Sequence, residues 1–308
     1  MKSLVRTLFG RLYDSPYLLL TLTALIWAGN VVLGRFAAGH VSPFAIAFIR
    51  WCGAFILLLP IALPFLRRDW PTIKRNLPLL IGLTLTGISI NNTLAYWGLQ
   101  HTEAINALLL SSGHPLFVAG WSFILYRQHL TGWQGIGIAL SFLGVLTILT
   151  RGDLAVILNV RFNIGDLVFF MSQIVYSFYA TLVKSRPNIH PLSFMLFMMG
   201  LGTITLSPIY AADVAMGATF VPDLKTQLIL GYIILFPSLI AYFFNNRGIE
   251  LIGPNRAAPF YQLIPIFGSV MAILFLGERP ALFHGIGYAL VLAGILIGTR
   301  SRASSNGV

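Results

Sequence analysis

A chain of 308 residues that is 57% hydrophobic and only 9% charged is not an ordinary soluble domain, in which about a quarter of the residues carry charge. The single cysteine, Cys52, excludes an intrachain disulfide and a cysteine-based metal site. A formal charge of +11 raises nucleic acid as a partner, but basic residues of membrane proteins collect in cytoplasmic loops, so their positions decide.

In chain order, apolar runs bounded by charges, Gly and Pro predict spans near 17–36, 43–66, 77–98, 104–126, 131–150, 164–183, 191–211, 227–246, 254–276 and 281–299. The first follows Lys2, Arg6 and Arg11 and imitates a signal peptide. Its apolar run, Tyr17 to Leu33, is longer than an h-region and ends without a small-residue cleavage site, so it reads as an uncleaved helix. Ten spans of about 20 residues use roughly 200 residues and leave only short connections, which suits this length.

With the N-terminus cytoplasmic, the inside segments hold Lys2, Arg6, Arg11, Arg67, Arg68, Lys74, Arg75, Arg127, Lys184, Arg186, Arg247, Arg256, Arg300 and Arg302. The outside ends hold only Arg35, Arg151, Arg161, Lys225 and Arg279. Both termini are therefore expected in the cytoplasm. Because the basic residues are divided among short segments and form no continuous patch, no nucleic-acid partner is expected.

An internal repeat is the most specific signal. At a fixed offset of 150 residues, without a gap, identities fall at Pro115/Pro265, Phe117/Phe267, Gly135/Gly285, Ile136/Ile286, Gly137/Gly287, Ala139/Ala289, Leu140/Leu290, Gly144/Gly294 and Leu146/Leu296, with Gly98/Gly248 upstream. Apolar composition alone does not align Pro and Gly in register. The expected organisation is two five-helix repeats, residues 1–150 and 151–308. Five spans is an odd number, so the second copy enters the membrane from the opposite side. The fold class is all-α integral membrane, with ten helices as two inverted repeats around a central cavity. Inverted repeats provide two nearly equivalent packings with a site near the midplane, which points to alternating access.

Polar side chains within spans mark the interior, because in hydrocarbon they need a partner or water. At helical spacing they pair as Trp27 with Asn30, Asn92 with Tyr96, Ser111 with His114, Gln173 with Tyr176, Tyr242 with Asn246, and Tyr261 beside Gln262. These lie in spans 1, 3, 4 and the corresponding 6, 8 and 9, and form the candidate substrate cavity. Each has a plainer reading: an interhelical hydrogen bond for the amides, ordinary packing for the aromatics, a neutral bonded histidine for His114. Arg50 is the only charge deep within a span, and contact with backbone carbonyls, a helix-junction role and contact with a substrate carboxylate all remain open. Pro115, Pro237, Pro259 and Pro265 are expected to kink their spans and free carbonyls one turn earlier, beside the same cavity. Spans 5 and 10 are rich in Gly, Ala and Leu and read as packing or dimer helices, so the protein is a monomer or a homodimer.

The nine acids, Asp14, Asp69, Glu103, Asp153, Asp166, Asp213, Asp223, Glu250 and Glu278, all fall in loops or at span ends, as do the four lysines. A site for cations would keep an acid at mid-span, and one for phosphorylated solutes a basic clamp. A neutral, aromatic- and amide-lined cavity suits a zwitterion with an apolar side chain, such as an amino acid. No GxSxG, HExxH or P-loop pattern occurs, and the six histidines lack paired ligand spacing, so no enzyme, cofactor or metal is expected.

Two halves, each with a Pro-centred span followed by a short turn and a G-x-G helix (HPLFVAGWSFILYRQHLTGWQGIG and IPIFGSVMAILFLGERPALFHGIG), resemble the EamA-type branch of the drug/metabolite transporter superfamily. The LGERP turn, Leu276 to Pro280, is similar to that family's recurring Glu-Arg turn, whereas the first half carries Tyr126, Arg127 and Gln128 there. More finely, the chain is similar to bacterial exporters of aromatic and other apolar amino acids. The resemblance implies a multi-pass protein of the bacterial inner membrane with a cavity lined by spans 1, 3, 4, 6, 8 and 9. Export of drugs or other metabolites, and a non-transporting role in lipid handling or membrane assembly, stand as alternatives.

Overall fold

The computed structural model describes residues 13–37, 41–102, 110–111, 113–153, 155–158, 163–218, 220, 223–276 and 281–300. Every long described segment is helical, because a helix satisfies its own backbone hydrogen bonds where the solvent offers none. In order these are α1 (Pro16–Ala37), α2 (Pro43–Arg75), α3 (residues 77–101), α4 (His114–Tyr126), α5 (Gly132–Leu149), α6 (Ile164–Leu182), α7 (Pro191–Ala215), α8 (Leu224–Ile252), α9 (residues 254–276) and α10 (Leu282–Arg300). Starts are set by local chemistry. Thr131 with Gln134, and Asn163 with Asp166, form reciprocal capping boxes at α5 and α6, while Ser42 and Asp223 cap α2 and α8. Among the described residues, six segments, Pro43–Arg75, Leu77–Leu99, Gly132–Leu149, Ile164–Ser185, Pro191–Ala215 and Leu224–Ile252, are long and apolar enough to cross a membrane, and shorter apolar stretches occur at Pro16–Asn30 and Leu282–Gly298.

The polarity of the fold is that of a bilayer protein. Ile56, Ile61, Ile124, Ile204, Leu274 and Leu296 face outward, while Arg50, Asn92, His114, Ser141, Asn245 and Asn246 are buried. The expected end of span 2 at residue 66 is corrected: α2 continues to Arg75 and carries Arg67 to Arg75 as helix. Asp69 in this extension accepts from the His190 backbone N–H (2.8 Å) and the Ser193 hydroxyl (2.7 Å), closing the start of α7. The first six residues predicted for span 4, the LGERP residues 277–280 and both chain ends lie outside the described residues.

Contacts between the helices repeat when the halves are exchanged. α1 packs on α8 as α6 packs on α3, and α9 packs on α1 as α4 packs on α6. Two pairs join a helix to its own counterpart. In the first, Phe48 of α2 stacks on Tyr210 of α7 and Phe65 on His190, so the helices run antiparallel. The second, α5 with α10, also runs antiparallel and is held by glycine. A Cβ on Gly137 would meet the Gly294 carbonyl at 2.6 Å, and one on Gly144 the Gly287 carbonyl at 2.7 Å. Ser141 donates to the carbonyl of Val291, its own equivalent at offset 150 (3.3 Å). Spans 5 and 10 are thus packing helices within one chain.

Both halves break their helices at matching places. α3 contains a π-helical turn at Leu85–Ser89, and α8 one at Ile234–Ile240. α9 begins as a short turn (Pro254–Ala257), passes through 3-10 geometry (Ala258–Gln262) and becomes regular from Leu263. α4 starts anew at His114, after a turn at Gly113. This corrects one of the four expected kinks. Pro115 does not bend a continuous helix but sits in the first turn of a new one, where its missing N–H is no loss, whereas Pro259 lies where α9 passes from α to 3-10 geometry. Pro237 lies inside its π turn, and Pro265 inside the regular part of α9.

The glycine seam makes a direct prediction. Gly144→Val forces a side chain into the α10 backbone and lowers stability by about 1–3 kcal/mol or more, read as a lower melting temperature in detergent. Gly135→Ala, whose Cβ meets nothing within 4 Å, leaves it unchanged or raises it.

Candidate functional site

The site begins at the two π turns. In α8, Pro237 has no N–H, so the carbonyl of Ile233 loses its usual donor. The Ser238 hydroxyl takes that place (2.8 Å) and in turn accepts from Arg50 Nε (3.0 Å). The Pro237 carbonyl accepts from Trp27 Nε1 of α1 (3.3 Å). In α3, Asn92 Nδ2 donates to the π-turn carbonyl of Ile88 (2.6 Å), and its Oδ1 accepts from Arg50 Nη1 (3.4 Å). Tyr96, one turn on, accepts from the same Nη1 (2.6 Å). Side chains that bond carbonyls at the π turns of two corresponding helices therefore also hold the buried Arg50 cation.

From Arg50 a continuous aromatic cluster runs inward. The guanidinium stands 4.9 Å over the Trp51 ring, Trp51 meets Tyr242 edge-on at 5.2 Å, and Tyr242 stacks on Tyr179 at 5.7 Å. Tyr179 touches Tyr176, which contacts Trp27, His114 and Tyr261 at 5.6–6.1 Å between ring centres. His114 and Tyr261 approach to 4.4 Å, and Trp27 and Tyr261 to 5.5 Å. Amides stitch the rings: Tyr261 donates to Asn245 Oδ1 (2.8 Å), Asn245 Nδ2 to the Tyr176 hydroxyl (3.4 Å), and Tyr179 to Asn246 Oδ1 (2.7 Å). Among the described residues, His114 Nε2 and Asn246 Nδ2 are buried with no hydrogen-bond partner. Gly87, in the π turn of α3, leaves room for the Tyr179 ring, which an added Cβ would meet at 2.5 Å.

One face of α8 spans this whole arrangement, with Ser238, Tyr242, Asn245 and Asn246, and Glu250 at successive turns, about 18 Å end to end. At its far end lies an ion-pair network. Glu250 meets Arg186 (2.7 Å) and Arg247 (3.3 Å), and Arg247 reaches Asp14 before α1 (3.0 Å) and covers the Tyr13 ring. The network ties the ends of α1, α6 and α8 together one turn from the amides.

Among the described residues, the space expected for a central cavity is narrow beside Trp27 and Tyr261. The void bounded by Leu20, Thr23, Ala24, Trp27, Asn245, Phe260, Tyr261 and Ile264 is about 10 Å³, no more than a single water needs. The physical reason is the rings themselves, which meet across the centre and fill the space their helices leave. A larger groove of about 640 Å³ lies on the outside, between α5 and α10.

The structure brings together Trp27, His114, Tyr176, Tyr242, Asn246 and Tyr261, with Gln262 buried beside them. Ser111 is helical and half-buried, three residues before His114. Asn92 and Tyr96 belong to the Arg50 end. Asn30 and Gln173 are half-buried, and Gln173 bonds its neighbour Ser172 (3.3 Å); no hydrogen bond or ring contact among the described residues joins either to the cluster. Sequence reasoning missed Asn245, Tyr179, Trp51 and Ser238. Tyr176 and Tyr179 at spacing i, i+3 gave a usable signal for Tyr179. Ser238 and Asn245 lie four and three residues from Tyr242, the same kind of signal, but Asn245 and Asn246 point about 100° apart and only the neighbours decide which ring each one bonds.

A helical bundle with an apolar exterior, breaks at matching depths of two halves and a polar aromatic centre defines a multi-pass membrane transporter. A model of the EamA-like transporter family matches residues 14–150 and again 163–300, and the chain belongs to that family, within the drug/metabolite transporter superfamily. Relatives include the uncharacterized transporter YyaM of Bacillus subtilis (strain 168), 25% identical over 294 residues that cover 91% of this chain and 92% of that protein. An uncharacterized transporter of Archaeoglobus fulgidus is 27% identical over 93% of this chain and 98% of its own length. A probable terminal-alkyne amino-acid exporter of Streptantibioticus cattleyicolor is 26% identical over 94% of this chain and 96% of its own. A crystal structure matches with a TM-score of 0.72 over 92% of this chain and 96% of that one; at 16% identity this likeness concerns the fold alone.

The amide stitching predicts its own cost. Tyr179→Phe strips Asn246 Oδ1 of its donor in a buried site and destabilises the protein by about 1–3 kcal/mol, measured by thermal melting. Asn246→Leu in the same background recovers part of that loss.

Proposed function

We propose that the protein exports neutral amino acids with aromatic or other apolar side chains across the bacterial inner membrane. It works by alternating access between two inverted five-helix halves, residues 1–150 and 151–308, with ten spans and both termini in the cytoplasm. One observation carries the substrate class: the cluster of buried His114, Tyr179 and Tyr242 with half-buried Trp27, Tyr176 and Tyr261, stitched by Asn245 and Asn246, contains no carboxylate and no lysine among the described residues. Aromatic faces receive an apolar side chain, and amides and hydroxyls receive an ammonium group without a permanent counter-charge. The exporter from Streptantibioticus cattleyicolor, whose name includes amino acids, favours the same class.

The narrow centre corresponds to an occluded or resting packing, since a ligand pocket is on the order of hundreds of Å³. Opening requires Trp27, Tyr176 and Tyr261 to part. The antiparallel α2–α7 and α5–α10 pairs support inversion, and the ion-pair network of Asp14, Arg186, Arg247 and Glu250 suits a closure on one face.

Purified protein in liposomes takes up or exchanges Phe, Trp, Met or Thr, and Trp27→Ala or His114→Ala lowers the rate at least tenfold. Absence of flux with every amino acid, together with drug resistance in cells overproducing the protein, assigns the site to drugs instead. Reporter fusions at the two ends place both in the cytoplasm; opposite sides would rule out an even number of spans.

A further inference from the structure

Arg50 lies about two turns into α2, roughly 10 Å from its start, and is 7% exposed. A guanidinium carries five N–H donors. Nε goes to Ser238 and Nη1 to Asn92 and Tyr96, all neutral side chains. Among the described residues no hydrogen bond leaves Nη2, and no carboxylate makes an ion pair with Arg50. The described acids are engaged elsewhere: Asp14 and Glu250 with Arg247, Asp69 with Ser193, Asp153 with Ala155, Asp166 with Thr102, Asp213 with Ser42 and Asp223 with Thr226. Arg50 is thus a buried cation whose partners orient it without neutralising it.

Such a charge is costly to bury unless an anion meets it. Its setting also has a direction. The charge borders Trp51, at the end of the aromatic cluster, and two of its three partners, Asn92 and Ser238, bond carbonyls at the π turns of α3 and α8. We propose that Arg50 Nη2, which keeps two N–H donors unused among the described residues, binds the carboxylate of the transported molecule while the apolar side chain lies among Trp51, Tyr242, Tyr179 and Tyr176. Two N–H groups on one nitrogen fit a monoanionic carboxylate. With no lysine or second arginine in contact with it among the described residues, a phosphate dianion is left undercompensated. This assignment rests on the aromatic cluster being the substrate site. It also couples the ligand to the π turns, because a carboxylate that pulls on Arg50 pulls on Ser238 and Asn92, hence on the irregular segments of both halves at once.

Thermal stability of the intact detergent-solubilised protein tests this with four probes of one shape: phenylalanine, 3-phenylpropionate, phenylalaninamide and phenethylamine. The carboxylate-bearing pair raises the melting temperature by a few degrees at saturation, and the amide and amine do not. Arg50→Gln abolishes the response to 3-phenylpropionate, and Arg50→Lys, which keeps the charge and loses the guanidinium, weakens apparent affinity about tenfold or more. Equal stabilisation by phenethylamine, no response to 3-phenylpropionate, or unchanged affinity in Arg50→Lys overturns the assignment. The probe panel on the native chain decides even where Arg50→Gln fails to fold. Binding of 3-phenylpropionate through Arg50 without uptake of any amino acid overturns the amino-acid reading and leaves the carboxylate site standing.

Discussion

Hydrocarbon supplies no hydrogen-bond partner, so each backbone carbonyl that a helix releases must be met from within the protein. In this transporter the rule acts at the π turn of α8, where the Ile233 carbonyl is deprived of a Pro237 N–H and accepts from the Ser238 hydroxyl, while at the π turn of α3 the Ile88 carbonyl accepts from Asn92 Nδ2. Those two side chains also hold Arg50. The centre of the molecule is therefore a single linked system of backbone breaks, amides, tyrosines and the Arg50 cation.

The periphery follows a different logic. α5 and α10 meet through Gly137, Gly144, Gly287 and Gly294 with backbones in near contact, which yields dispersion and close packing where no hydrophobic effect drives helices together. These helices form a close-packed seam between the two repeats. The centre is built differently: Tyr179 packs against Gly87 in the π turn of α3, and Tyr261 lies in the 3-10 segment of α9.

Much of this was legible in the linear pattern. Membrane residence follows from 57% hydrophobic and 9% charged residues, because no other solvent accepts such a surface. The repeat could be read because Pro and Gly at a fixed offset have backbone consequences that apolar residues do not. The interior faces of α1, α4, α6, α8 and α9 could be read in part, since polar groups at helical spacing in a long apolar run must point inward. That reasoning reached Trp27, His114, Tyr176, Tyr242, Asn246 and Tyr261, which the structure brings together.

Tertiary structure decided what periodicity cannot express. Asn245 and Asn246 are both amides on one helix, and only the placement of Tyr261, Tyr176 and Tyr179 gives each its ring. Pro115 has the pattern of a kink, yet the turn at Gly113 makes it the start of a new helix. How narrow the centre is depended on rings from five helices meeting at 4.4–6.1 Å, a sum of long-range positions with no local signature. The sequence determined the solvent, the repeat and the chemical types at the core, because those depend on composition and spacing within one helix. The partners of Arg50 and the narrowness beside Trp27 and Tyr261 depended on which helices lie side by side, and that is fixed only when the two halves pack.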